Sequence, residues 1–261
     1  MGKKYYYLTS EMKSISDEKF QLLKVVQPGL SEIERRLFYF YPGREELMPL
    51  VIDEEERFWI GKKPLLSYPK EFADEVLGSA ISNYLGSSSP AVDNIVIDNC
   101  PYILTEYLYP SRTANFKEMQ DQKGLFLIPR LLAARIEYFG KETVQALPID
   151  IHLLNFIIKK NERCQNELYQ IDFSNGIPYH YEDIAGFLKK YRVSIDDPAI
   201  NSQLEKLFKA DLNELADSFL CRLKPAFIQE AEESKKLFLR NSQNIEKILE
   251  SLKLFVEEPY I

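Results

Sequence analysis

The part of the sequence that decides the fold is the stretch Pro148-Ile149-Asp150-Ile151-His152-Leu153-Leu154-Asn155-Phe156-Ile157-Ile158. Its polar residues form the pattern Asp-x-His-x-x-Asn, and its apolar end, 156–158, is typical of a β-strand. A polar turn follows, and a second predicted strand, 168–171, ends at Asp172. The segment 148–176 is therefore predicted to fold as a loop, a strand, a turn and a second strand that ends in an aspartate.

This order of polar groups suits phosphoryl transfer. The reaction needs a carboxylate that orients or deprotonates the attacking hydroxyl group, and Mg²⁺ ions held by hard oxygen ligands that bridge the nucleotide phosphates. We expect Asp150 to be the base or the group that positions the hydroxyl, and Asn155 and Asp172 to be Mg²⁺ ligands. His152 is expected to hold the loop through hydrogen bonds and not to transfer a proton.

The same residues carry a resemblance to a known superfamily. The pattern at 150–155, followed by Ile171-Asp172-Phe173, resembles the catalytic and metal-binding loops of the protein-kinase-like fold. The members that it is most similar to are the HipA-like kinases and the aminoglycoside (choline) phosphotransferases. The resemblance implies an α+β, two-lobed fold with ATP bound between the lobes. It also implies an ATP- and Mg²⁺-dependent kinase, in the first place a HipA-like Ser/Thr protein kinase.

The resemblance further implies which residues of the first lobe bind the nucleotide. Such a lobe needs a lysine on a strand for the phosphates, and a glutamate on the next helix that holds this lysine. The candidate lysines are Lys62 and Lys63: the Lys-Pro pair favours Lys63, whereas strand alternation with Ile60 favours Lys62. Glu75 is the candidate glutamate, because helical spacing places it beside the apolar stripe of its helix.

The segment 102–108 resembles the strand and hinge at which such kinases bind adenine. The physical need there is an apolar slot with exposed backbone donors and acceptors, so the identity of the side chains is loosely constrained. The backbone of Glu106 and Leu108 is the candidate contact.

The remaining pattern of the chain predicts two lobes. Short apolar runs between turn signals predict strands in the first lobe, 1–108, and the apolar spacing of 70–85 predicts one helix within it. The second lobe, 109–261, is predicted to be mostly helical and to carry the catalytic loop. Within it we expect a helix over 124–139 and a break near 241–244 in the last helical stretch.

Composition narrows the classes of partner. The chain has 40 acidic and 33 basic residues and a net charge of −7, which argues against general nucleic-acid binding. Its three cysteines form no Cys-x-x-Cys pair, which indicates reduced, buried thiols in a cytosol-like compartment. No stretch has the length and apolar character of a membrane span. We expect a cytoplasmic protein that acts on a protein substrate or a small-molecule alcohol and that can have a further protein partner.

One sequence feature keeps an alternative open. The chain contains neither Gly-x-Gly-x-x-Gly nor Gly-x-x-x-x-Gly-Lys-[Ser/Thr], the glycine-rich loops that cradle phosphates. A pseudokinase, or an adaptor or immunity-type binding protein with the same fold, is therefore the alternative to an active enzyme. A small-molecule kinase is the alternative within the enzyme class.

Overall fold

The structure is a computed structural model that describes residues 6–9, 20–28, 48–62, 71–97, 100–108, 111–121, 124–134, 138–139, 143–144, 155–161, 163–171, 173, 184–221 and 228–257. The chain divides into two compact units. Unit 1 contains Met1–Phe72 and Ala91–Leu108, and unit 2 contains Ala73–Pro90 and Tyr109–Ile261. The helix that the sequence assigned to the first lobe therefore groups almost entirely with unit 2.

Unit 1 is built on a six-stranded antiparallel sheet in the order β1-β2-β3-β4-β6-β5. The strands are β1 (Tyr6–Thr9), β2 (Phe20–Pro28), β3 (Met48–Asp53), β4 (Phe58–Lys62), β5 (Val92–Ile97) and β6 (Cys100–Glu106). The chain leaves the sheet after β4, and it returns as the hairpin β5–β6 with β6 paired to β4. β-Branched, aromatic and leucine side chains fill the core, namely Val51, Trp59, Ile95, Tyr102 and Leu104.

A buried carboxylate holds the turn between β3 and β4. Asp53 Oδ1 accepts hydrogen bonds from the backbone N–H groups of Glu55 (3.0 Å) and Arg57 (2.9 Å). Its Oδ2 accepts from Arg57 Nε (2.8 Å) and from Trp59 Nε1 (2.9 Å). Burial by itself would raise the pKa of Asp53, but the hydrogen bonds from Arg57 and Trp59 and the charge of the guanidinium hold this pKa below its ordinary value of 3.8.

We expect the Asp53 carboxylate to make the stability of unit 1 acid-sensitive. Because the pKa of Asp53 is lower in the folded state, its stabilisation is complete above pH 3.8 and is lost as the pH falls through the folded pKa. Asp53→Asn should lower the free energy of unfolding by about 2 kcal/mol at neutral pH and should flatten this acid dependence. Fluorescence of Trp59, the one tryptophan of the chain, reports the transition directly. The matched control is the exposed neighbour Glu54, whose change to Gln should leave both quantities unaltered; an equal effect of the two variants would contradict the role of Asp53.

Unit 2 contains helices and short sheets. The described helices are α1 (Glu71–Leu85), α2 (Phe116–Asp121), α3 (Leu127–Ala133), α4 (Ile184–Tyr191), α5 (Pro198–Lys209), α6 (Leu212–Leu220), α7 (Ile228–Gln243) and α8 (Ile245–Glu257). The described strands are β7 (Ser111–Thr113), β8 (Tyr138–Phe139), β9 (Thr143–Val144), β10 (Phe156–Lys160) and β11 (Asn166–Gln170). β10 is central in the sheet β11-β10-β7, and β8 pairs with β9.

Side-chain caps and aromatic packing explain several of these elements. Asp197 caps α5 by accepting from Ala199 N (2.8 Å), and Asp211 caps α6 in the same way. Aromatic rings from α4, β10 and the turn before α3 meet in the core. They belong to Phe126, Phe156, Phe187 and Tyr191, with neighbouring centroids 4.4 to 6.0 Å apart.

The predicted α+β fold class is confirmed: strands, one helix and a strand hairpin are followed by a mostly helical remainder. The prediction of a helix over 124–139 is wrong for its second half. The helix ends at Ala133, where Ala134 turns extended, and Tyr138–Phe139 form a strand. The break near 241–244 is confirmed, because α7 ends at Gln243 and α8 begins at Ile245.

Two further observations concern the surface of the described residues. Cys164 and Cys221 are free, as expected, but both are exposed, so the expected burial is wrong for these two thiols. Among the described residues, no helix has the length and apolar character needed to cross a membrane.

Candidate functional site

The hairpin β10–β11 carries the described part of the candidate site. Its strands are in antiparallel register, with Phe156 opposite Gln170. The ladder is extended by one more hydrogen bond, from Ile171 N to Asn155 O (2.8 Å). Asn155 is 3% exposed. The predicted metal ligand Asn155 therefore lies beside Ile171, the residue that immediately precedes Asp172.

The residue that follows Asp172 is fixed by helix α1. Phe173 N donates a hydrogen bond to Glu75 Oε2 (3.1 Å), and the Glu75 side chain is buried, with 2% of the residue exposed. A hydrogen bond to a carboxylate is stronger than one between neutral groups. The Phe173 side chain packs directly on Gly78, one turn further along the helix: a Cβ at Gly78 would lie 2.6 Å from Phe173 Cδ1 and closer still to Cβ and Cγ.

Arg130 of α3 contacts Ile171 and Phe173, the residues before and after Asp172. Its Nη2 donates to Ile171 O (2.5 Å), and its guanidinium carbon lies 4.5 Å from the ring centroid of Phe173 and 5.6 Å from that of Phe156. Arg130 is only 2% exposed. A buried guanidinium stacked on aromatic faces and bonded to a carbonyl oxygen restrains the residues before and after Asp172.

The structure places the sequence-predicted residues as follows. Asn155 is joined to Ile171, and Glu75 to Phe173, by one hydrogen bond each. Glu106 N donates to Ala91 O (2.9 Å). Leu108 is buried. Lys62 is the last residue of β4, opposite Ile103 of β6. The predicted residues Lys63, Asp150, His152 and Asp172, and the side chain of Lys62, lie outside the described residues.

The predicted ligands Asn155 and Asp172 have side-chain oxygen atoms, the kind of ligand that a hard metal ion binds. Among the described residues, no group of three or more His, Cys, Asp or Glu side chains is arranged to hold a metal. Asn155 supplies an amide oxygen, and a carboxylate at 172 would supply the second kind of oxygen ligand that Mg²⁺ takes. The residues at 155 and 172 therefore fit Mg²⁺ by their chemistry.

Two residues of this site, Arg130 and Gly78, are not among those that the sequence predicted. An arginine in a helix ordinarily faces solvent. The feature that could have indicated a buried Arg130 is that its neighbours on the helix are apolar, namely Leu127, Ile128, Leu131 and Leu132. Gly78 had a signal that can be recognised, because a glycine inside a helix costs stability and is usually kept for close packing.

Comparison with known proteins gives a likeness in fold. No family model and no curated protein matches the chain. Its fold is similar to that of a Helicobacter pylori proinflammatory kinase, CtkA, with 11% identity and a TM-score of 0.44. The alignment covers 81% of this chain and 91% of that one. At this identity the likeness carries neither activity nor site residues over to this chain.

Proposed function

We propose that this protein is an ATP- and Mg²⁺-dependent phosphotransferase with an alcohol group as acceptor, most similar to a HipA-like Ser/Thr protein kinase. The observation that carries the proposal is the double attachment of the 171–173 segment. Asn155 O accepts a hydrogen bond from Ile171 N, and Glu75 Oε2 accepts one from Phe173 N. A loop that must hold a metal ion in a fixed position benefits from such restraint, because catalysis by positioning is lost when the ligands move.

Each proposed residue has a defined task. Asp150 orients or deprotonates the attacking hydroxyl group, and His152 holds the loop around it. Asn155 and Asp172 hold Mg²⁺, which when bound neutralises charge on the phosphates. Lys62 or Lys63 binds the phosphates.

Glu75 and the backbone of Glu106 and Leu108 have the remaining roles in the proposed nucleotide site. Glu75 keeps the 171–173 segment in place through its hydrogen bond to Phe173 N. The backbone of Glu106 and Leu108 contacts adenine.

Phosphoryl transfer from labelled ATP tests the proposal. In the presence of Mg²⁺, the protein should label itself or a partner protein, and Asp150→Ala should reduce the rate by at least about a hundredfold. Asp172→Asn should do the same and should also abolish the thermal stabilisation by ATP and Mg²⁺. The matched control is Asp196→Asn, which removes only an exposed ion pair with Lys253 and should retain full activity. Equal labelling by the wild type and by both site variants would contradict the assignment.

A binding protein with this fold is the second candidate, and the absence of a glycine-rich phosphate loop from the sequence favours it. It predicts no transfer of label and no effect of Asp150→Ala. A pseudokinase would keep the thermal stabilisation by ATP and Mg²⁺, whereas an adaptor would show none at millimolar ATP. A small-molecule kinase would label an added alcohol but no protein.

A further inference from the structure

Two buried side chains of opposite charge hold the first and the last residue of the 171–173 segment. Arg130 Nη2 donates to Ile171 O (2.5 Å), and Glu75 Oε2 accepts from Phe173 N (3.1 Å). Arg130 and Glu75 are each 2% exposed. Because a charged partner strengthens a hydrogen bond to the backbone, both bonds are strong restraints on the segment.

Peptide planarity carries both restraints to the residue between them. Ile171 O lies in the peptide plane that Ile171 shares with residue 172, and Phe173 N lies in the plane that residue 172 shares with Phe173. The two planes meet at the Cα atom of residue 172, whose φ and ψ angles describe their relative orientation. A pair of side chains that orients both planes therefore sets the direction in which the side chain at 172 leaves the backbone.

Arg130 is itself held by two aromatic rings. Its guanidinium carbon lies 4.5 Å from the ring centroid of Phe173 and 5.6 Å from that of Phe156. Both rings are buried. A planar guanidinium packed on aromatic faces has little rotational freedom, so its N–H group keeps one direction toward Ile171 O.

We propose that Arg130 is a positioning residue of the metal site, which sets the affinity for Mg²⁺ by orienting the side chain at 172. This inference rests on the proposed function, because it takes Asp172 to be a Mg²⁺ ligand. Arg130 is a cation and therefore acts through the backbone of Ile171, not as a ligand. Residues that orient a metal ligand typically contribute about 10- to 100-fold to the affinity for the metal.

Amide hydrogen exchange of the full chain without metal tests the restraint by itself. Arg130→Lys keeps the positive charge but lacks the planar group that packs on Phe173 and keeps one N–H direction. We expect the Phe173 amide to exchange at least about tenfold faster relative to the Gln170 amide, which lies in the same hairpin but donates to Ser88 O (2.9 Å). A general loss of stability would accelerate both amides alike, so an unchanged ratio would overturn the proposal.

The dependence of ATP labelling on free Mg²⁺ tests the consequence for the metal. At saturating ATP, Arg130→Lys should raise the Mg²⁺ concentration that gives the half-maximal rate at least about tenfold, and high Mg²⁺ should restore most of the wild-type rate. Asn241→Leu removes hydrogen bonds to carbonyl oxygens at the end of the same helix, α3. It should leave the half-maximal concentration unchanged, because a loss of folded protein lowers the rate at every Mg²⁺ concentration alike. An equal Mg²⁺ dependence of the wild type and Arg130→Lys would overturn the proposal.

A second variant keeps the test decisive if Arg130→Lys does not fold. Phe173→Leu removes the ring beside the guanidinium but leaves Arg130 in place, and it should shift the Mg²⁺ dependence in the same direction. An unshifted dependence in this variant would also overturn the proposal.

The two proposals fail in different ways. If the wild type transfers no label, the proposed function is wrong, and the Mg²⁺ dependence of the thermal stabilisation by ATP then decides the role of Arg130 with the same variants. If ATP and Mg²⁺ do not stabilise the wild type either, both proposals are wrong.

Discussion

Gly78→Ala is expected to lower the free energy of unfolding by about 1 to 2 kcal/mol, although alanine is the better helix former. An alanine methyl in the interior of α1 would lie within 2.6 Å of the Phe173 side chain. Phe173 is buried and has the Arg130 guanidinium 4.5 Å from its ring centroid, so the ring has little room to move aside. The cost of overpacking, typically about 1 to 3 kcal/mol, exceeds the gain in helix propensity of up to about 1 kcal/mol.

The matched control for this variant is Gly186→Ala. Gly186 also lies in a helix, α4, but a Cβ there would meet no atom within 4 Å. Only the gain in propensity remains, so this variant should be more stable than the wild type by about 0.5 to 1 kcal/mol. Urea unfolding of both variants gives the comparison. If both substitutions stabilise the protein, then α1 does not pack on Phe173, and the described geometry of the site is contradicted.

The second large effect is expected at Asn241, which is fully buried in α7. Its Nδ2 donates to the carbonyl oxygens of Leu131 (3.1 Å), Leu132 (3.1 Å) and Ala134 (2.7 Å). These carbonyls lie at the end of α3, where a helix leaves its last acceptors unpaired. Asn241→Leu keeps the approximate volume but removes the donor, so that Leu132 O and Ala134 O lose this hydrogen bond, whereas Leu131 O still accepts from Ala134 N (3.3 Å). We expect a loss of about 3 kcal/mol in the free energy of unfolding.

Asn244 provides the control for Asn241. It follows α7 directly and is half-buried, and its Nδ2 donates to Arg240 O (2.8 Å) within one turn. Because water can replace this hydrogen bond, Asn244→Leu should change the stability by no more than about 0.5 kcal/mol. Chemical denaturation of the two variants measures the difference. A loss at Asn244 as large as that at Asn241 would show that the three carbonyl contacts are not the cause.

Glu75 and Arg130, two buried polar residues next to the 171–173 segment, illustrate which parts of the site a sequence can show. The motif at 150–155 and the aspartate at 172 can be recognised because such a motif is defined by residue types and spacing within a short stretch of sequence. Glu75 was placed beside an apolar stripe by helical periodicity, and the structure shows it buried. Its bond to Phe173, 98 residues away, has no local signature. The same holds for Arg130, whose partners belong to segments 26 or more residues further along the chain.

The sequence by itself determined the class of the fold and the order of its elements. Short apolar runs rich in β-forming residues predicted β2, β3, β4 and the hairpin β5–β6, because turn signals separate them. A period near 3.6 predicted α1, because helical periodicity reflects which side of the helix is buried. It failed at 138–139, where a short strand replaced the expected continuation of a helix. Elements of two residues are too short to show a period.

Only the tertiary structure decided how the candidate site is held. The packing of Phe173 on Gly78 and the burial of Arg130 both depend on residues that are distant in sequence. Such contacts depend on the shape of the folded chain, since steric fit and desolvation act between surfaces and not along the backbone. The motif thus suggested a chemistry, whereas the contacts that hold Ile171 and Phe173 follow only from the fold.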